Sequence, residues 1–155
     1  MVTKNTKMNK TTILAMSFLS SLSLAWGGIV EVHKVVAKEG SETIKVTMQG
    51  EDLILDKHAA ITELDIAKAS LSPEREGVIS IELDAKGTQK FSELTKELAA
   101  TKGRLAILLN GKVVTAPVVQ SELGKKFEIT GYTESEEKSI KELVEQINTV
   151  IKNNR

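Results

Sequence analysis

An α+β domain is the fold class this sequence predicts: a mainly antiparallel or mixed sheet with two amphipathic helices packed on one face. Three observations predict it. Short apolar runs alternate with polar residues, two longer stretches carry apolar residues at helical spacing, and Asn110-Gly111 sits between two apolar runs. The chain has 155 residues, 41% hydrophobic and 27% charged, which suits one domain with its own core. No period recurs, so a repeat array is excluded.

Residues 1–25 contain Lys4, Lys7 and Lys10 and no acid, followed by the apolar and small-residue run Thr11–Ala25. A basic start, a short apolar middle and a small-residue end describe a secretory signal peptide, and Ser23-Leu24-Ala25 fits cleavage before Trp26. The alternative is an inner-membrane anchor over residues 11–26. Against it, the run is short for a bilayer span and holds four serines. Removing residues 1–25 lowers the basic count from 21 to 18 against 21 acids, a net charge of −3. The expectation is a periplasmic or extracellular domain that touches a membrane only if the N-terminal segment stays uncleaved.

Residues 26–42 read as a mixed lead-in, broken at Gly27-Gly28 and Glu39-Gly40-Ser41, and residues 43–155 as the domain. Thr43–Met48 alternates, with Ile44, Val46 and Met48 on one face of a strand. Leu53-Ile54-Leu55 is a second short apolar run. Ile61–Leu71 is open between helix and extended chain: Leu64, Ala67 and Leu71 suit a helix, while Ile66 and Ala69 also fit a strand. Pro73 ends it. Val78–Leu83 is a strand with Ile79, Ile81 and Leu83 inward.

Asp84 stands at a helix N-cap, and Phe91, Leu94 and Leu98 follow at helical spacing. Gly103 is the expected C′ residue. Leu105–Leu109 reads as a buried strand, Asn110-Gly111 as a type I′ turn and Lys112–Val119 as the return strand. Pro117 lies within that return, so the strand is at an edge or leaves the sheet there. Phe127–Thr130 is a further strand. Thr133 and Glu136 form a capping box, and the helix behind it carries the stripe Ile140, Leu143, Val144, Ile147 and Ile151.

Several function classes fall away. Cysteine is absent, which excludes disulfides, thiolate metal sites and cysteine nucleophiles. Aromatics are 3% of the chain and basic and acidic residues balance, which argues against nucleic acid as a partner. His33 and His58 lack ligand spacing and are expected to face solvent, so no metal and no cofactor is expected. Glu82 and Asp84 share a strand face as a carboxylate pair, yet Glu82 reads as a solvent-side residue and Asp84 as a cap. The candidate binding segment is Thr115, Ala116, Pro117, Val118 and Val119. An apolar edge interrupted by proline can lend its rim to an extended peptide. The bland alternative is that Pro117 keeps the edge from pairing with another copy.

The order of these motifs resembles the head subdomain of the large periplasmic domain of the SecD family, the accessory subunits of the protein-export translocase. The match runs over residues 77–134: Asp84, Gly87, Phe91 and Thr95, then Asn110, Gly111, Ala116 and Pro117, then Ile129, Gly131 and Thr133. Ile61–Ala69 extends it upstream. Full-length SecD proteins carry several transmembrane helices and a second periplasmic subdomain. This chain has no apolar span after residue 25, so the family's proton-coupled pulling is not carried over. What the resemblance implies is a non-catalytic exported binding or accessory module that contacts translocating or unfolded polypeptide. The alternatives are a docking subunit of a membrane-bound export or envelope complex and, third, a hydrolase using Glu82 or Asp84.

Overall fold

In a computed structural model, residues 27–130 and 137–155 are described. β1 (Val30–Lys34), β2 (Thr43–Met48), β3 (Glu51–Asp56) and β4 (Ile61–Thr62) lead into a 3-10 turn over Glu63–Asp65. β5 (Ile66–Leu71) and β6 (Ile79–Leu83) precede α1 (Ala85–Thr101). β7 (Leu105–Leu109), β8 (Lys112–Thr115), β9 (Lys126–Ile129) and α2 (Glu137–Asn153) complete the order. The strand pairings are antiparallel. They form a sheet of order β4-β1-β7-β8, a β2–β3 hairpin and a sheet of order β5-β6-β9. This is the expected α+β arrangement, with the sheet divided in three. The N-terminal signal reading, Gly131 and the Thr133–Glu136 capping box lie outside the described residues. Among the described residues, no helix is long and apolar enough to cross a membrane.

All of Leu105–Leu109 is buried, as a strand covered on both faces must be. Leu105, Ile107 and Leu109 enter the larger core with Val30, Val32, Ile81 and the α2 stripe. Ala106 and Leu108 enter a smaller core with Leu53, Leu55, Val113 and Ala116. The β2–β3 hairpin covers that second face, with Ile44, Val46 and Met48 packed against it. Gln49 (φ 50°) and Gly50 (φ 87°) make its two-residue turn.

β1 lies in the stretch that the sequence presents as a mixed lead-in, yet it pairs with both β4 and β7. Val30 and Val32 are fully buried and His33 nearly so. Two apolar residues in Val-Glu-Val-His-Lys make a weak pattern, and the cover over its polar face comes from a hairpin further along the chain.

Ile61–Leu71 resolves as extended chain around the 3-10 turn. Thr62 caps that turn: its Oγ1 accepts from the Leu64 N–H at 3.4 Å, and Asp65 Oδ2 accepts from the Thr62 N–H at 3.1 Å. A bulge between Ile66 and Lys68 lets Ile66 and Ala69 both point inward although they are three apart. Leu64, Ala67 and Leu71, whose spacing suits a helix, are not among the buried residues.

Ile79, Ile81 and Leu83 of β6 are fully buried, as the alternation predicts. Asp84 caps α1, its Oδ1 accepting from the Gly87 N–H at 2.7 Å. At the other end the left-handed residue is Lys102 (φ 52°), which corrects the expectation that Gly103 takes that conformation. The Lys102 N–H donates to Ala99 and the Gly103 N–H to Leu98 at 2.7 Å, a Schellman closure with Gly103 one place later. A Cβ at Gly103 would lie 2.6 Å from Leu98 Cδ2, so a larger residue there would have to displace the end of the Leu98 side chain.

Asn110 (φ 48°) and Gly111 (φ 77°) form the expected two-residue turn, with Leu109 opposite Lys112. On α2, Ile140, Leu143, Val144, Ile147 and Ile151 are all buried. The helix packs on β5 and on the 3-10 turn. Beside that stripe, Asn148 donates Nδ2–H to the Ala69 carbonyl at 2.8 Å and accepts the Ala69 N–H at Oδ1 at 3.1 Å. Arg155 donates to the Ala67 carbonyl at 3.3 Å.

Candidate functional site

The strand leading to the candidate segment ends at Thr115, two residues before Pro117. The chain then leaves the β8 register through an irregularity opposite Ile107–Leu108 but stays beside the residues that open β7. The Leu105 N–H donates to the Pro117 carbonyl at 3.2 Å and the Val119 N–H to the Gly103 carbonyl at 2.9 Å. Arg104 stands opposite Val118 between these two bonds. In an antiparallel ladder such a residue turns its own N–H and C=O away from its partner. Val118 therefore faces outward with both main-chain groups.

Side chains in the segment divide between inside and outside. Ala116 is buried in the smaller core and Val119 in the larger one. Pro117 is exposed and Val118 is 49% exposed, while Thr115 is half-buried. Arg104 fixes the segment from behind: its Nε–H donates to the Ala116 carbonyl at 2.9 Å, and its Nη1 lies 2.6 Å from Glu51 Oε1. That hydrogen bond holds the Glu51 carboxyl below the usual carboxylate range and raises the Arg104 guanidinium further.

Pro117 and Val118 form one rim of an apolar groove of about 260 Å³. Phe91, Leu105 and Ile107 also line it, and Phe127 and Glu128 of β9 contribute the other rim. Phe91 and Phe127 stack at a tilt, with ring centroids 5.0 Å apart. Leu123, 36% exposed, also lines the groove. Its N–H donates to the Oγ1 of buried Thr95 at 2.9 Å, and Thr95 in turn donates to the Phe91 carbonyl at 2.7 Å. Ser92 donates to Glu122 beside it. These bonds tie the Gln120–Lys125 connection to α1 and shape the groove.

β9 is an edge of its sheet, because the order is β5-β6-β9. Leu83 N–H donates to the Lys125 carbonyl at 2.8 Å, which sets the phase of the ladder. Phe127 and Ile129 then bond inward to β6, and Lys126 and Glu128 point their N–H and C=O outward. Their side chains are tied back: Lys125 and Lys126 both reach Glu82, at 2.7 Å and 3.4 Å, and Glu128 pairs with Arg75. The Lys125 hydrogen bond is the main cause holding the Glu82 carboxyl below its usual range, partly offset by burial.

Glu82 and Asp84 thus have structural partners, lysines for one and the α1 N-terminus for the other. His58 is exposed and lies 3.3 Å from Glu42. His33 departs from the expectation of a solvent-facing histidine. It is 3% exposed, its Nδ1 is 2.8 Å from the Asp56 carbonyl and its Nε2 is 3.7 Å from Glu31. The covering hairpin, not visible from the local sequence, buries it. Among the described residues, no group of three or more histidines, aspartates and glutamates is arranged to hold a metal ion.

Comparison with known proteins gives a consistent result. The family model described as "SecDF, P1 head subdomain" matches residues 38–146. The protein translocase subunit SecD of Magnetococcus marinus is 40% identical over 72 residues, 46% of this chain and 13% of that protein. The SecD of Acidaminococcus fermentans is 35% identical over 92 residues, 58% of this chain and 20% of that protein. This chain therefore spans a fifth or less of the curated relatives it matches. A structure of SecDF, described as a membrane component that enhances protein export, superposes with a TM-score of 0.57 at 24% identity, covering 76% of this chain and 60% of that one. SecDF in a super-membrane-facing form gives a TM-score of 0.54 at 25% identity, covering 76% of this chain and 18% of that one.

Proposed function

Because the chain belongs to the SecDF P1 head subdomain family, we propose that it serves protein export as a non-catalytic accessory module on the outer side of the membrane. Its task in this reading is to touch polypeptide as it emerges, through Pro117, Val118 and the groove they border. Thr115, Ala116 and Val119 hold that rim from within. The relatives are translocase subunits and a membrane component that enhances export, which supports the export setting and a membrane export complex as partner.

The observation that carries the polypeptide reading is the groove itself. An apolar trough beside a half-exposed valine whose main-chain groups face outward suits an extended chain of little fixed sequence. The Glu82 and Asp84 contacts support an accessory rather than a hydrolytic role.

A photo-crosslinking amino acid in place of Val118 tests this in cells carrying an export-arrested secretory polypeptide. Crosslinks from position 118, and none from the exposed position of Lys86 on α1, are expected. Equal labelling at both positions, or none at position 118, contradicts the reading.

A further inference from the structure

The sheet β5-β6-β9 has two edges, and the chain treats them differently. On β5, Ala69 lies opposite Ile81, and the Ser72 N–H donates to the Val78 carbonyl at 2.8 Å, so the N–H and C=O of Ala69 point away from β6. The Asn148 side-chain amide meets both, at 3.1 Å and 2.8 Å, as a neighbouring strand would. Arg155 takes the Ala67 carbonyl. α2 thereby seals the β5 edge.

The β9 edge receives no such plug among the described residues. Lys126 and Glu128 turn their main-chain donors and acceptors outward, beside the groove that Phe127 and Glu128 line. Lysines on an edge strand commonly repel an incoming strand. Here the Lys125 and Lys126 ammonium groups lie on Glu82 of β6, and Arg75 neutralises Glu128. The edge offers hydrogen bonds and little uncompensated charge.

We infer that an extended polypeptide segment adds to the outer edge of β9 as a further strand, its main chain bonding Lys126 and Glu128 and alternate apolar side chains entering the groove toward Phe91 and Val118. The inference rests on the polypeptide-contact reading and gives it a binding mode. Main-chain recognition with apolar pockets accepts many sequences, provided alternate residues are apolar.

The test uses the full chain and a fluorescein-labelled peptide of alternating valine and threonine, about ten residues long. Two further peptides carry backbone N-methyl groups on the valines or on the threonines. Only one of those frames faces β9 in an added strand, so methylation in one frame should weaken binding by at least about tenfold and the other should not. Glu128→Pro, whose lost N–H makes no bond to β6, should weaken the unmodified peptide similarly, and unchanged binding by this variant would also overturn strand addition. Equal binding of all three peptides to the unaltered chain overturns strand addition and leaves polypeptide contact standing. Absence of binding of the unmodified peptide at high micromolar concentration overturns both.

Discussion

The carbonyl oxygen of Asp65 occupies the space beside Gly87 so closely that a Cβ on Gly87 would lie 2.4 Å from it. The same Asp65 carbonyl accepts the Asp84 N–H at 3.0 Å, and its carboxylate accepts from Lys90 at 2.7 Å. The 3-10 turn between β4 and β5 is thus locked to the first turn of α1, the helix that carries Phe91 to the groove and Thr95 to the Leu123 N–H beside it.

Gly87→Ala is expected to destabilise the domain by about 1–3 kcal/mol through overpacking. Helix propensity alone predicts the opposite sign, a gain of up to about 1 kcal/mol. Urea unfolding distinguishes them, and a stabilised variant would mean the contact relaxes freely.

The turn joining β7 and β8 allows a second check. Gly111 has φ 77°, which a β-branched residue adopts only under strain. Gly111→Val should cost on the order of 1–3 kcal/mol, visible as a lower thermal midpoint. An unchanged midpoint would refute the turn geometry.

Leu143 sits within the α2 stripe at 7% exposure, packed into the larger core. Leu143→Ala should cost roughly 2–5 kcal/mol by chemical denaturation. Leu143→Asp should unfold the chain. A folded, monomeric Leu143→Asp protein would show instead that the stripe serves a partner.

Asn148→Ala removes the amide that closes β5 and leaves the Ala69 N–H and C=O without partners. A loss of about 1–3 kcal/mol is expected. Sedimentation should also detect self-association through the uncovered edge. A monomer of unchanged stability would mean water replaces the amide.

The Glu82 and Glu51 carboxyls are lowered by Lys125 and Arg104 respectively. A carboxyl lowered in the folded state adds stability above its unfolded value, and that stability is lost as pH falls through the folded value. Thermal midpoints should therefore fall on acidification below the ordinary glutamate range. Glu82→Gln should flatten part of that fall, and identical pH profiles would contradict the assignment.

Local pattern reached the parts of the fold whose cause is local. Alternation in Ile79, Ile81 and Leu83, the Asn110-Gly111 turn, the Asp84 cap and the α2 stripe each depend on neighbours within a few residues. β1 depends on pairing with β4 and β7, the burial of His33 on the β2–β3 hairpin, and the bulge in β5 interrupts the strict alternation that marks a strand. The rim was visible through Pro117. The groove was not, because its other side comes from α1 and β9, distant in sequence and joined to the rim through Thr95 and Leu123. Gly87 was legible as part of a motif, but its steric reason lies in Asp65.

Whether the groove between Val118 and β9 engages polypeptide is tested most directly by amide chemical-shift mapping. The isotope-labelled full chain would be titrated with the unmodified valine–threonine peptide. Shifts concentrated at Val118, Lys126, Phe127 and Glu128 are predicted, with the amides of β2 and β3 unmoved. Shifts confined to the β2–β3 hairpin, or none at saturating peptide, would contradict it.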